Sequence, residues 1–260
     1  MGLSRSQIKM IRSLGEKKNR DELGLFVAEG EKIVGEILEA GYPVEVLIVN
    51  KTWTLSDETF RKNIKEMHVV EEATMSRLSQ LSTPSPVLAV CPKRKNETSH
   101  RYFHSHLSLL LDEIQDPGNV GTILRIADWF GISQLVCSPH TADMYNPKVI
   151  QASMGAFLRV SCLYTSPEEF LSGIAAPGYQ VYGTFTEGQS IYHEKLSTAG
   201  LIILGNESRG ISKSLYPYIT SRLSVPRFPA GHKGAESLNV AVAAGIVCAE
   251  FRRRQITTAP

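Results

Sequence analysis

The sequence predicts an α/β protein whose larger part is a parallel sheet covered by helices on both faces, preceded by a smaller α/β region. Two observations carry this. Short apolar runs recur at "LSLLLD", "QLVCS", "YQVYGTF", "LIILG" and "RLSVP" between residues 107 and 226, and strands without polar alternation belong to sheets buried on both faces. Helical patterns fall between or after them, notably at 119–130 and 237–252, and that alternation is the mark of a parallel α/β sheet.

The elements follow in order. In "SRSQIKMIRSLGEKK", Ile8, Ile11 and Leu14 are spaced by three, which predicts an amphipathic helix. "EGEKIVGEILEAGYP" repeats the signal through Ile33, Val34, Ile37 and Leu38, with Gly41 as the C-cap signal and Pro43 just beyond. "VEVLIVN" and "PVLAVCP" are strands, the first rich in β-branched residues. "KRKNETSHRYFHSH", residues 93–106, is polar and without apolar period, and reads as a linker with a domain boundary near residue 100. The expected domains are 1–98 and 105–260.

A chain of 260 residues with 42% hydrophobic and 21% charged residues suits a globular protein with a sizeable core. The net charge of +2 does not by itself argue for nucleic acid. Its distribution says more: Arg5, Lys9, Arg12, Lys17, Lys18 and Arg20 fall in the first twenty residues, opposed only by Glu16. This is a basic patch or a solvated helix face. Cys91, Cys137, Cys162 and Cys248 lie far apart without a CxxC pair, so neither a disulfide framework nor a zinc site is expected. No apolar leader and no bilayer-length run occurs. A cytoplasmic protein without membrane or metal partners is expected.

Three polar stretches carry the chemistry. "DPGNVGTILRIADWFG", residues 116–131, passes from a turn into a helix, with Asn119 as the expected N-cap and Val120, Ile123, Leu124, Ala127 and Phe130 as the buried stripe. Arg125 and Asp128 lie off that stripe. They form an exposed i,i+3 pair, or else the stretch sits at the carboxyl end of a strand where open α/β sheets bind ligands. In "LIILGNESRGIS", residues 201–212, Gly205 and Gly210 bracket Glu207, a pattern for close backbone approach or for a tight loop serving the next helix. In "VPRFPAGHKGAESLNVAVAAGIVCAEF", residues 225–251, a Pro/Gly-rich excursion leads to Ser237, a plain N-cap on its own terms. The helix beyond it is apolar nearly all round, so Asn239 needs a protein or ligand partner. GxGxxG, GxxxxGK[ST] and GxSxG are all absent, which weakens the dinucleotide reading, removes the common P-loop and leaves a nucleophile elbow without support.

Together the three stretches resemble the SpoU (TrmH-like) RNA ribose methyltransferases of the SPOUT superfamily. Asn119, Gly121 and Arg125 match the first motif, N-x-G-x-x-x-R. Gly205, Glu207 and Gly210 match the second, G-x-E-x-x-G, and Ser237-Leu238-Asn239 match the third. Order and spacing agree over roughly residues 105–252. "GLFVAEGEKIVGEIL" is similar to the substrate-binding domain often fused to this family, itself similar to a small ribosomal RNA-binding protein. One departure is the segment "RFPAGHKGAE" between Pro226 and Ser237, longer than the family's short loop.

The resemblance implies an α/β domain with a trefoil knot, an exception to the rule that chains avoid knots, a homodimer, and S-adenosylmethionine as cofactor. The implied reaction is methylation of a ribose 2′-hydroxyl in structured RNA, ribosomal RNA rather than transfer RNA. It makes Arg125, Asn119, Glu207, Ser237 and Asn239 the catalytic set, with Glu207 orienting Arg125 or its loop. Thr184, Gly205, Asn206, Val225 and Leu238 would hold the cofactor. Arg5, Lys17, Lys18 and Arg20 would join the RNA footprint through phosphate contacts. Two alternatives stand beside it: a non-catalytic RNA-binding protein that keeps the fold, and a nucleotide-dependent oxidoreductase.

Overall fold

The computed structural model describes residues 3–54, 58–81, 83–94, 100–229 and 234–257. The chain divides into two compact units, Met1–Lys95 with Asp143–Leu158, and Asn96–Ala142 with Arg159–Pro260.

The first unit opens with α1 (Arg5–Ser13), started by a reciprocal cap in which the Ser4 hydroxyl accepts from the Gln7 backbone N–H and the Gln7 side chain accepts from the Ser4 N–H. Ile8, Ile11 and Leu14 enter one apolar cluster with Val27, Ile48, Leu88 and Val90. α2 (Lys17–Leu23) ends at Gly24, whose φ of 64° is the left-handed value glycine adopts without strain. β1 (Leu25–Glu29), α3 (Glu31–Glu39), β2 (Val44–Val49), β3 (Ile64–Val69), α4 (Glu72–Leu78) and β4 (Val87–Pro92) follow. The four strands lie in the order β1-β4-β2-β3, with only β2 and β3 parallel.

In the second unit, α5 (His100–Ser105) leads into β5 (Leu107–Leu111), α6 (Pro117–Trp129) and β6 (Gln134–Cys137). The chain then contributes Asp143–Leu158, with α7 (Pro147–Ser153), to the first unit. It returns as β7 (Ser161–Tyr164), α8 (Pro167–Ile174), β8 (Val181–Ser190), β9 (Gly200–Leu204), β10 (Ser221–Ser224) and α9 (Val240–Thr257). The six strands lie in the order β10-β8-β9-β5-β6-β7, and every pairing is parallel. All five residues of β5 and of β9 are buried, as strands covered on both faces must be. Because the strands are parallel, the loops after β5, β9 and β10 emerge at the same edge of the sheet.

The expected linker at 93–106 differs from what is observed. Residues 95–99 lie outside the described set, but His100–Ser105 form a helix. Phe103 is wholly buried and meets Phe170 edge-on at 4.8 Å, and the Tyr102 hydroxyl bonds to Ser133 Oγ at 2.7 Å. Two aromatic rings anchor a segment whose polar neighbours face water.

Candidate active site

The loop after β5 continues the strand ladder through Asp112, whose N–H donates to Leu204 O at 2.9 Å. The buried Asp112 carboxylate accepts from Ser212 N at 2.7 Å, tying this loop to the end of the loop after β9. The cap of α6 is Asp116, whose carboxylate accepts from Asn119 N at 2.8 Å, and Pro117 takes the first helical position. Asn119 is therefore a residue of the first turn and not the expected N-cap. A carboxylate three residues ahead of a free N–H is the stronger acceptor, and Pro117 has no N–H to leave unpaired.

Asn119, relieved of capping, spends its amide on the other two motifs. Its Nδ2 donates to Glu207 Oε1 at 2.8 Å, and its Oδ1 accepts from Asn239 Nδ2 at 2.9 Å. Asn239 Oδ1 in turn accepts from Ala241 N and Val242 N, at 3.0 and 3.3 Å. Asn239 thus caps α9, the role expected of Ser237, which is exposed two residues upstream of it. Each amide oxygen is used on one side and each amide nitrogen on the other, so the chain of bonds runs one way, from the α9 cap to the Glu207 carboxylate.

The loop after β9 is held from within. Asn206 and Gly210 exchange both backbone hydrogen bonds, at 3.0 and 2.9 Å. A Cβ on Gly205 would lie 2.3 Å from Ile211 N and 2.4 Å from Gly210 C, so only glycine fits there. The Asn206 amide donates to Glu113 O at 2.8 Å and accepts from Ser208 N and Arg209 N. Its side chain is thus a brace between the two loops, while its backbone N–H and C=O are taken by Gly210. Arg209 forms an ion pair with Glu113.

Arg125 projects from α6 into solvent and, among the described residues, has no side-chain hydrogen bond or ion pair. Asp128, the partner its i,i+3 spacing offered, binds Arg159 through both oxygens at 2.9–3.0 Å. Glu207 engages Asn119, and no bond joins it to Arg125. Thr184, on β8, donates its hydroxyl to Ile203 O at 2.9 Å. Val225 follows β10 half-buried, and Leu238 is 49% exposed directly before Asn239. Of the long 226–236 segment, residues 230–233 lie outside the described set.

In the first unit Arg5, Lys17 and Lys18 are exposed, but Arg20 is 1% exposed. Its Nε and Nη2 reach Asp143 Oδ2 at 2.9 and 2.7 Å, and Nη1 donates to the carbonyls of Leu14 and Gly15. A guanidinium committed to these acceptors cannot meet phosphate, which removes Arg20 from the expected RNA footprint. Sequence reading missed Asp112, Asp116 and the Asp128–Arg159 pair. For Asp116 a signal existed, an Asp immediately before a proline at the first helical position.

Comparison with known proteins sets this geometry among relatives. The model of the SpoU rRNA Methylase family matches residues 106–249, and that of the MRM3-like substrate binding domain matches residues 5–89. The 23S rRNA (guanosine(2553)-2′-O)-methyltransferase RlmP of Bacillus subtilis is 32% identical over 250 residues, spanning 95% of this chain and 96% of the relative. A putative RNA methyltransferase of the TrmH family from Porphyromonas gingivalis superposes with a TM-score of 0.83 at 39% identity, over 98% of this chain and 100% of that one. An AdoMet-bound rRNA methyltransferase from Sinorhizobium meliloti gives 0.83 at 27% identity, over 98% and 97% of the two chains.

Proposed function

The chain belongs to the SpoU rRNA methylase family, and from that premise we propose that it methylates a ribose 2′-hydroxyl of ribosomal RNA, using S-adenosylmethionine. The observation that carries this is the run of hydrogen bonds Asn239–Asn119–Glu207, which draws three distant motifs to one edge of the sheet, at the helix that also carries Arg125.

When bound, S-adenosylmethionine supplies a methyl group on a sulfonium that already carries its leaving group. The residues present fit it: a glycine with no space for a Cβ, a loop closed on its own backbone, and the exposed apolar Leu238 beside the polar relay. Thr184, Gly205, Asn206, Val225 and Leu238 would hold it. The chain's remaining task is to align and activate a weak nucleophile. A guanidinium is a permanent cation and a poor base, so the part of Arg125 is to bind the target phosphate or ribose and to favour charge developing on the 2′-oxygen. Glu207, through Asn119, fixes the first turn of the helix that carries Arg125. Ser237 and Asn239 complete the wall on the α9 side.

The same reading makes 1–98 the substrate-binding part and 105–260 the catalytic part, knotted and homodimeric, in the cytoplasm. Trp129 on α6 and Val242 on α9, 84% and 53% exposed, are apolar surface of the kind that contact between two copies covers. Arg5, Lys17 and Lys18 remain in the proposed footprint.

The test is to incubate the protein with labelled S-adenosylmethionine and either deproteinised ribosomal RNA or transfer RNA. Methylation of the 2′-oxygen leaves the label in alkali-stable dinucleotides, because the hydroxyl that attacks the phosphodiester is then blocked. Label in ribosomal RNA supports the reading. A protein that binds the cofactor but labels neither RNA overturns it.

A further inference from the structure

α1 and α4 pack through Ile8, Ile11, Met75 and Leu78 in one apolar cluster. Against this contact lies an open cavity of about 350 Å³ lined by Arg5, Ile8, Lys9, Arg12, Ser13 and Arg77. Four of these six residues are cations and none is a carboxylate. Arg5, Lys9 and Arg12 recur at i, i+4 and i+7, one face of α1 about 10 Å long at 1.5 Å per residue. Arg77 faces the same cavity from α4. All four are exposed, and among the described residues none has a side-chain hydrogen bond or ion pair.

We propose that this cavity is a seat for backbone phosphates of the RNA substrate. The proposal rests on the methyltransferase reading for the identity of the polyanion and goes beyond it in naming the seat. Four unpaired cations around one hollow repel each other in the free protein. A phosphodiester strand removes that repulsion and releases condensed counterions. Three of the four are guanidiniums, whose planar fork binds two phosphate oxygens at once. RNA is favoured over an anionic membrane because the apolar face of α1 is already buried in the core, leaving nothing to insert among lipid chains. Lys17 and Lys18 are not part of the lining, which separates this seat from the rest of the basic N-terminal stretch.

The experiment compares full-length wild type with the Lys9→Gln/Arg12→Gln/Arg77→Gln variant, and with Lys17→Gln/Lys18→Gln, which removes footprint cations outside the cavity. Binding to ribosomal RNA fragments is followed by fluorescence anisotropy between about 50 and 200 mM salt. The triple variant is expected to bind at least tenfold more weakly. Its plot of log affinity against log salt should flatten by about two to three units, one per lost phosphate contact. Its thermal midpoint and cofactor affinity should stay at wild-type values, and the Lys17/Lys18 variant should lose affinity by a smaller factor. In wild-type protein, bound RNA should also protect Lys9 from acetylation, a readout that needs no variant to fold. Wild-type affinity and slope in the folded triple variant, or unprotected Lys9, would overturn the seat. So would binding to phosphatidylserine vesicles that the triple substitution abolishes while RNA binding persists. Methyl transfer is scored separately: RNA bound at the seat with no transfer by wild type would sink the enzymatic reading alone.

Discussion

Asn239 donates its amide N–H to the Oδ1 of Asn119, 2.9 Å away across 120 residues of chain. The bond joins the first residue before α9 to the first turn of α6, and α6 and α9 pack against each other. Asn119 passes the constraint on to Glu207 in the loop after β9. Three segments separated by long stretches of chain are thus oriented by two side-chain amides.

Asn119→Asp tests that relay. The new carboxylate still accepts from Asn239 but faces Glu207 with an oxygen where a donor stood, and adjacent carboxylates repel. Methyl transfer at neutral pH should drop at least tenfold. Transfer at the wild-type rate would contradict the role given to this contact.

Gly205→Ala puts a methyl group 2.3 Å from a backbone nitrogen that cannot rotate away. The loop from Asn206 to Gly210 must shift, at a cost of about 1–3 kcal/mol for an overpacked site. Calorimetric titration should show cofactor affinity reduced tenfold or more, and the thermal midpoint should fall.

Arg20 and Asp143 are 1% and 8% exposed at the side chain. Removing one partner strands a buried charge, so Arg20→Met should cost about 3–5 kcal/mol. Replacing both, as Arg20→Met/Asp143→Leu, should recover most of that loss in denaturant melts. Additive losses would mean that the two side chains act independently.

Glu250 on α9 accepts hydrogen bonds at 2.8 Å from Arg253 and from Arg254. The bonds from Arg253, foremost, hold its carboxyl at about 2, below the ordinary 4.5. A carboxylate whose folded pKa is depressed stabilises the fold above its unfolded value, and that contribution fades as pH falls toward the folded one. Between pH 4.5 and 2, therefore, the thermal midpoint of Glu250→Gln should fall less steeply than that of wild type. Parallel curves would remove Glu250 from the acid response.

Much of the catalytic half was legible because its strands are buried on both faces. "LSLLL" and "LIIL" carry no side chain that could belong on a surface apart from Ser108, and even that is buried. β3 left no such trace, for its residues are half or fully exposed. Helix starts were misread where two capping residues competed: Asp116 outranked Asn119, and Asn239 outranked Ser237. The three motifs could be recognised, but not their bonding, since which amide faces which carboxylate depends on how the loops close. Arg20 looked like surface charge among its basic neighbours. Its burial depends on Asp143, 123 residues away, and on a segment that joins the first unit from inside the second half of the chain.

The central claim is that Arg125 acts directly on the RNA being methylated, and Arg125→Ala tests it most directly, with transfer to ribosomal RNA and cofactor affinity measured on the same preparation. Among the described residues Arg125 has no side-chain hydrogen bond or ion pair, so the variant should keep its thermal midpoint and cofactor affinity while transfer falls by about 10²–10³-fold or more. Transfer at the wild-type rate would contradict the account.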